Sequence, residues 1–167
     1  PRKALVVAPA FSEYEASLAQ VDCEVAKHVL SAESGFVADE SLLDAVDEDI
    51  DLVYICEPSN PAGQVTPPQL LERLLERCGE VGALLAVDEC FLDFTEAESA
   101  TDLLELYPNL LILKAFTKNF ALAGVRIGYC LTADETLLER MAAAGQPWDV
   151  STLAQAAGIA AARERGW

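Results

Sequence analysis

The chain has 167 residues, 52% of them apolar, which suits one domain with a single buried core. Its 11 basic and 28 acidic residues give a formal net charge of -17, so nucleic acid and anionic membrane surfaces are excluded as partners by repulsion. No apolar run reaches the roughly 20 residues that a membrane-spanning helix needs, and the N-terminus is not a secretory signal, so we expect a cytoplasmic protein.

Apolar runs of strand length recur along the chain, at residues 4–8, 23–29, 52–56, 83–87, 110–113 and 127–131. Several are continuous, which is typical of strands covered on both faces. Helical patterns lie between or after them, at residues 67–78, 134–144 and 153–163. In the first of these, Thr66 is predicted to cap the helix and Gly79 to end it. This alternation predicts an α/β domain over residues 1–167, with a mostly parallel sheet, helices on both faces in three layers, and ligands at the carboxyl ends of the strands.

Several common kinds of site lack the residues they need. There is no glycine-rich nucleotide-binding motif, and the five cysteines form no C-x-x-C pair, so we interpret them as buried free thiols. His28 is the sole histidine and lies in a strand-like run, where a structural role is expected. Neither a Ser-His-Asp triad nor a metal site is therefore predicted.

Three polar residues of different chemistry come shortly after predicted strands. They are the amide Asn60, the acid Asp88 and the amine Lys118. If these strands lie in one parallel sheet, the three side chains meet at the same edge. That combination suits a cofactor that withdraws electrons, because an amine can hold it as a Schiff base and a carboxylate can keep its ring nitrogen protonated.

Four segments, in the same order, resemble the class I/II aminotransferases, which are pyridoxal 5'-phosphate (PLP) enzymes of fold type I. The segments are Pro9-Ala10-Phe11-Ser12-Glu13-Tyr14, Asn60-Pro61-Ala62-Gly63, Asp88-Glu89-Cys90-Phe91, and a lysine segment in which Arg126 follows Lys118 by eight residues. Within that family, the chain is most similar to the branch of histidinol-phosphate aminotransferase and threonine-phosphate decarboxylase. The resemblance implies the large-domain fold of this family, with the run at residues 127–131 antiparallel to the others.

The resemblance also implies a role for six residues. Lys118 is the Schiff-base lysine and the proton shuttle at the substrate's α-carbon, and Asp88 pairs with the ring nitrogen of PLP. The remaining four hold other parts of the cofactor: Asn60 the phenolic oxygen, Arg126 and Thr117 the phosphate, and Phe11 the ring face. Each role has an ordinary structural alternative: a surface lysine for Lys118, a turn or helix cap for Asp88, a turn for Asn60, an ion pair for Arg126 and a core aromatic for Phe11. Lys114 is interpreted as structural.

Two positions depart from the family pattern. Phe91 stands where many aminotransferases carry a tyrosine that bonds the cofactor oxygen, so Asn60 is expected to act there alone. Ala115 stands where many carry a serine or threonine, so the phosphate site has one hydroxyl fewer. Neither change affects Lys118 or Asp88.

The expected reaction of the full-length enzyme is transfer of an amino group between an amino acid and a 2-oxo acid, as part of amino-acid metabolism and in a homodimer. Decarboxylation of a phosphorylated amino acid and a non-catalytic scaffold are the alternatives. The family's N-terminal phosphate-binding segment and C-terminal small domain have no match in this sequence. We therefore expect a fragment that binds PLP weakly and turns over little by itself.

Overall fold

A six-stranded sheet in the order β2-β1-β3-β4-β5-β6 forms the centre of the molecule, whose computed structural model describes residues 1–164. Its strands are β1 (Lys3–Ala8), β2 (Glu24–Val29), β3 (Leu52–Cys56), β4 (Leu84–Asp88), β5 (Leu110–Ala115) and β6 (Gly128–Leu131). The first five strands are parallel, and β6 is antiparallel to β5. This confirms the predicted mixed, mostly parallel sheet. The predicted extension of the domain through residues 165–167 lies outside the described residues.

Helices and short turns of 3-10 helix connect the strands. The helices are α1 (Ser12–Ala19), α2 (Ser41–Asp44), α3 (Pro68–Val81), α4 (Phe116–Asn119), α5 (Glu135–Ala144) and α6 (Thr152–Arg163), and the 3-10 turns are Leu92–Phe94, Ala100–Leu103 and Ala123–Val125. Within residues 1–164, no helix combines the length and the apolar character needed to cross a membrane.

Hydrophobic clusters cover both faces of the sheet. Because side chains alternate along a strand, Val53 and Ile55 of β3 pack with α3 on one face, while Leu52 and Tyr54 pack with α1 on the other. The larger cluster buries Leu74 and other side chains of α3 completely. Each such leucine contributes about 1.5–3 kcal/mol by leaving water, so this packing holds the strand ends in a fixed arrangement.

Helix α3 differs from the prediction at both ends. Pro67 is the residue at its N-cap and makes no capping bond, because the Thr66 side chain instead donates a hydrogen bond to the buried carboxylate of Glu57. The helix also continues through Gly79 to Val81 and ends at Gly82, whose φ of 76° is in the left-handed region that favours glycine. The predicted cap at Thr66 and the predicted end at Gly79 were therefore wrong.

Alanine substitutions at these two glycines are expected to change stability in opposite directions. Gly82→Ala forces a β-carbon into a left-handed conformation and should lower the free energy of unfolding by about 1–2 kcal/mol. Gly79→Ala lies inside α3, where its β-carbon would come no closer than 3.8 Å to Asn109, and should raise stability by up to about 1 kcal/mol. Urea unfolding of both variants checks the sign. Equal effects would contradict the assigned end of α3.

Candidate active site

The carboxyl ends of the parallel strands open onto one edge of the sheet, where the chain leaves each strand. Strand β6 is antiparallel and begins at this edge, since Gly128 pairs with Ala115 at the end of β5. Arg126, two residues before Gly128, is therefore brought to the same edge. Gly128 permits this close pairing, because a β-carbon there would lie 2.8 Å from the Lys114 carbonyl oxygen.

A cavity of about 450 Å³ lies at this edge, a volume in the range of small-molecule sites. The six predicted site residues all line it: Phe11, Asn60, Asp88, Thr117, Lys118 and Arg126. They come from the segments after β1, β3 and β5, from the last residue of β4 and from the residues before β6. The structure thus brings together side chains that are as much as 115 positions apart, from Phe11 to Arg126.

Asp88 ends β4 with both carboxylate oxygens engaged. Its Oδ2 accepts a hydrogen bond of 2.6 Å from the Tyr14 hydroxyl, and its Oδ1 accepts one of 2.9 Å from the backbone N–H of Cys90. Burial is the larger cause, and the charge of the nearby Asp88 carboxylate the next, that raises the pKa of Tyr14 far above its usual value. The phenol therefore stays neutral and remains the donor in this bond.

Lys118 lies in α4, directly after β5, and its side chain lines the cavity. Its Nζ lies 4.9 Å from the centroid of the Phe91 ring, which is within range of a cation–π interaction. The side chain is otherwise exposed. The Lys118 amine therefore contacts the Phe91 ring and also lines the cavity, where a carbonyl compound can reach it.

Arg126 has a φ of 55° and a ψ of 60°, a left-handed conformation that is unfavourable for a residue with a β-carbon. Its Nη1 donates a hydrogen bond of 3.1 Å to the carbonyl oxygen of Ala123. Strained backbone of this kind occurs often at ligand sites. The side chains of Arg126 and Lys118 place two cations at one cavity, in a chain whose formal net charge is -17. This local positive charge favours an anionic ligand there.

Two buried carboxylates fix the loops around the cavity. Glu57 accepts hydrogen bonds from the backbone N–H of Thr66, at 2.9 Å, and from its hydroxyl, and so closes the loop that carries Asn60. Glu89 forms an ion pair of 2.9 Å with Lys114, which agrees with the structural interpretation of that lysine. These contacts hold the loops rather than a ligand.

Replacing Thr66 by valine is expected to destabilise the protein by about 1–3 kcal/mol at pH 7, because Glu57 loses a donor in a buried position. Burial raises the pKa of Glu57 above 4.5, although the Thr66 hydrogen bonds oppose the rise. An acid whose pKa is raised on folding costs stability when it is ionised, and that cost disappears as the pH falls through the folded pKa.

The loss in Thr66→Val should therefore shrink as the pH falls from 7 toward 4.5. Urea unfolding across this pH range measures it. Thr66→Ser keeps the hydroxyl and is the matched control. A loss that is the same at every pH would show that the ionised carboxylate is not what the hydroxyl stabilises.

A sequence profile of the family "Aminotransferase class I and II" matches residues 2–166. The chain belongs to this aminotransferase family. Among curated proteins it is 34% identical to threonine-phosphate decarboxylase of Salmonella typhimurium, over all of this chain and 46% of that protein. It is also 36% identical to histidinol-phosphate aminotransferase of Bacillus subtilis (strain 168), over 94% of this chain and 44% of that protein.

Solved structures agree with this assignment. The crystal structure of histidinol-phosphate aminotransferase from Clostridium acetobutylicum superposes with a TM-score of 0.88 and 27% sequence identity, over 95% of this chain and 47% of that one. The predicted resemblance to class I/II aminotransferases is confirmed. The chain spans less than half the length of these relatives.

The cavity is also lined by three residues to which the sequence assigned no role there, namely Tyr14, Cys56 and Cys90. The sequence signals only that Asp88, at the end of a buried strand, requires a donor, and it does not identify Tyr14 as that donor. All five cysteines are free, but only Cys23 and Cys78 are buried. The interpretation of all five as buried thiols was therefore wrong for the other three, which are half-buried.

The two cavity thiols are poor nucleophiles. Burial raises the pKa of Cys56 to about 11 and that of Cys90 to about 12. Both thiols are therefore protonated at neutral pH.

Proposed function

We propose that this chain is the PLP-binding core of the large domain of an aminotransferase. The full-length enzyme would transfer an amino group between an amino acid and a 2-oxo acid. The observation that carries the proposal is the convergence of Lys118, Asp88 and Arg126 on one cavity, from three separate parts of the chain. An amine, an acid and a guanidinium are the groups that recognise the aldehyde, the ring nitrogen and the phosphate of PLP.

The side chains of the cavity fit PLP by their chemistry. Lys118 would hold the cofactor covalently, Asp88 would pair with its ring nitrogen, and Asn60 would donate to its phenolic oxygen. Arg126 would bind two phosphate oxygens at once through its planar guanidinium, with Thr117 adding a hydroxyl. Phe11, which lines the cavity and is 45% exposed, offers an aromatic face to the ring.

When bound, PLP supplies a sink for electrons released at the substrate's α-carbon. The chain's own residues supply the rest. Lys118 is proposed to move a proton to and from that carbon as a neutral amine, which is general acid–base work. Asp88 would favour the protonated form of the ring nitrogen through the charge of its carboxylate.

The second candidate is decarboxylation of a phosphorylated amino acid. The observation that favours it is the 34% identity to a threonine-phosphate decarboxylase over the whole chain. The same six residues would serve both reactions, because both begin by loosening a bond at the same carbon. Product analysis of the full-length enzyme, supplied with a phosphorylated amino acid and a 2-oxo acid, separates them: a new amino acid supports transamination, and released carbon dioxide supports decarboxylation.

We also propose a homodimer in the cytoplasm for the full-length enzyme. The five free cysteines are consistent with a reducing compartment. A small-molecule amino acid is the proposed partner. The acidic charge of the chain disfavours nucleic acid.

Titration of the 167-residue chain with PLP tests the proposal. The visible absorbance of the cofactor should change and reach saturation as PLP is added. The dissociation constant should be larger than that of a complete enzyme. Lys118→Ala should abolish the change, whereas Lys27→Ala, which removes an exposed lysine paired with Glu15, should preserve it. A folded chain whose addition leaves the spectrum of PLP unaltered would contradict the proposal and favour the non-catalytic scaffold.

A further inference from the structure

We propose that Tyr14 is a positioning residue for Asp88, holding the carboxylate so that it faces the ring nitrogen of PLP. This inference rests on the proposed function and extends it to a residue outside the predicted set of six. It is carried by the hydrogen bond of 2.6 Å from the Tyr14 hydroxyl to Asp88 Oδ2.

The Asp88 carboxylate is fixed from two sides. The Cys90 backbone N–H holds Oδ1 at 2.9 Å, and the Tyr14 hydroxyl holds Oδ2. The first bond is local, because Cys90 follows Asp88 by two residues. The second joins residues 74 positions apart, so it ties the end of β4 to helix α1. With both oxygens bonded, rotation of the carboxylate about its terminal bond would break two hydrogen bonds.

Tyr14 is itself held rigidly. Its ring stacks on that of Tyr54, with centroids 4.9 Å apart and planes at 13° to each other. The ring of Phe11 meets it edge-on, with centroids 5.9 Å apart. Tyr14 is only 8% exposed and belongs to the core cluster between α1 and the sheet. A donor fixed in this way loses little conformational entropy when it orients Asp88.

The bond has a defined direction. Tyr14 keeps its proton, since burial raises the pKa of its hydroxyl, and an ionised carboxylate can only accept. The phenol therefore donates to Asp88 and does not take a proton from it. Tyr14 therefore acts through Asp88, although its side chain also lines the cavity.

A PLP analogue with carbon in place of the ring nitrogen separates positioning from general support of the fold. Asp88 has no charged partner on this analogue, so orienting its carboxylate gains nothing there. Tyr14→Phe, which removes only the hydroxyl, should weaken PLP binding about tenfold and binding of the analogue less than about twofold. Equilibrium dialysis of the 167-residue chain with each ligand gives the two dissociation constants.

Three further variants complete the test. In an Asp88→Asn background, Tyr14→Phe should change PLP affinity by less than about twofold, because the two residues act as one unit. Tyr107→Phe removes a phenol outside the cavity and should leave both affinities unchanged. Tyr14→His retains a donor at the same helical position and should keep most of the preference for PLP. It also serves if Tyr14→Phe does not fold, as judged by circular dichroism.

Equal weakening of both ligands by Tyr14→Phe would overturn the inference, because a structural role predicts that result. Unchanged PLP binding in Tyr14→Phe would overturn it too. If the unsubstituted chain binds PLP no better than it binds the analogue, Asp88 does not pair with the ring nitrogen, and the inference fails while covalent binding at Lys118 can still stand. If the folded chain binds neither ligand, the proposed function itself is wrong and the inference falls with it.

Discussion

Replacement of Lys118 by alanine is expected to lower the turnover of the full-length enzyme by about 10²–10⁴-fold, the usual contribution of a positioned general acid–base group. The structure gives the reason: the Lys118 amine lies 4.9 Å from the centroid of the Phe91 ring, and Lys118 lines the same cavity as Asp88. Among residues 1–164, no other lysine lines this cavity. Steady-state rates, measured with saturating amino acid and 2-oxo acid, check the loss.

Two controls make the result specific to the amine. Lys27→Ala, at an exposed ion pair, should keep the full rate. A small primary amine added to the Lys118→Ala enzyme should restore part of the rate, because the missing group is a proton-carrying amine. An Lys118→Ala enzyme with undiminished turnover would remove Lys118 from the mechanism.

Replacement of Lys114 by methionine is expected to lower the free energy of unfolding by about 2–4 kcal/mol. Glu89, only 4% exposed, would lose the cation that lies 2.9 Å away. Breaking a buried ion pair typically costs about 3–5 kcal/mol, and the remaining hydrogen bonds from Ser99 and the Ala100 N–H reduce the loss here. Urea unfolding at pH 7 measures the difference.

The pH dependence gives an independent check. Burial lowers the pKa of Lys114, but the hydrogen bond and the charge of Glu89 outweigh it, so the pKa is raised above 10.5. A base with a raised pKa contributes stability below its unfolded value and loses the contribution as the pH rises through its folded value. The stability gap between the protein and Lys114→Met should thus be constant near neutral pH and narrow above about pH 10.5.

Lys27→Met is the matched control, because it removes a lysine from an exposed pair with Glu15. Exposed pairs contribute about 0–1 kcal/mol, so this variant should be nearly as stable as the protein. Equal losses for Lys114→Met and Lys27→Met would show that burial of Glu89 does not matter.

The sheet could be predicted from sequence because its strands are continuous apolar runs with little else in them. The apolar run predicted at residues 52–56 has the same first and last residues as strand β3. The agreement follows because a strand covered on both faces needs apolar residues on both faces. The side chains at the cavity followed from the same rule, because parallel strands put their carboxyl ends at one edge. Recognition of the lysine segment then identified Arg126, whose position depends on the antiparallel strand that follows it.

What the sequence could not give were contacts between distant residues. Thr66 has the right chemistry for a helix cap, but a buried carboxylate nine residues earlier takes its hydroxyl. Gly79 has the right identity for a helix end, but the apolar pattern continues to Val81, and Gly82 has the left-handed backbone. Tyr14 was missed because its partner, Asp88, lies 74 residues away. Local rules choose among local partners, whereas Thr66 and Tyr14 have tertiary partners, and the end of α3 depends on the backbone conformation of Gly82.

A crystal structure of the chain grown with excess PLP tests the central claim most directly. We expect density for the cofactor joined to Nζ of Lys118, with its ring nitrogen next to the Asp88 carboxylate and its phosphate near Arg126. Cofactor attached instead to Lys27 or another surface lysine, with the cavity holding only solvent, would contradict the account.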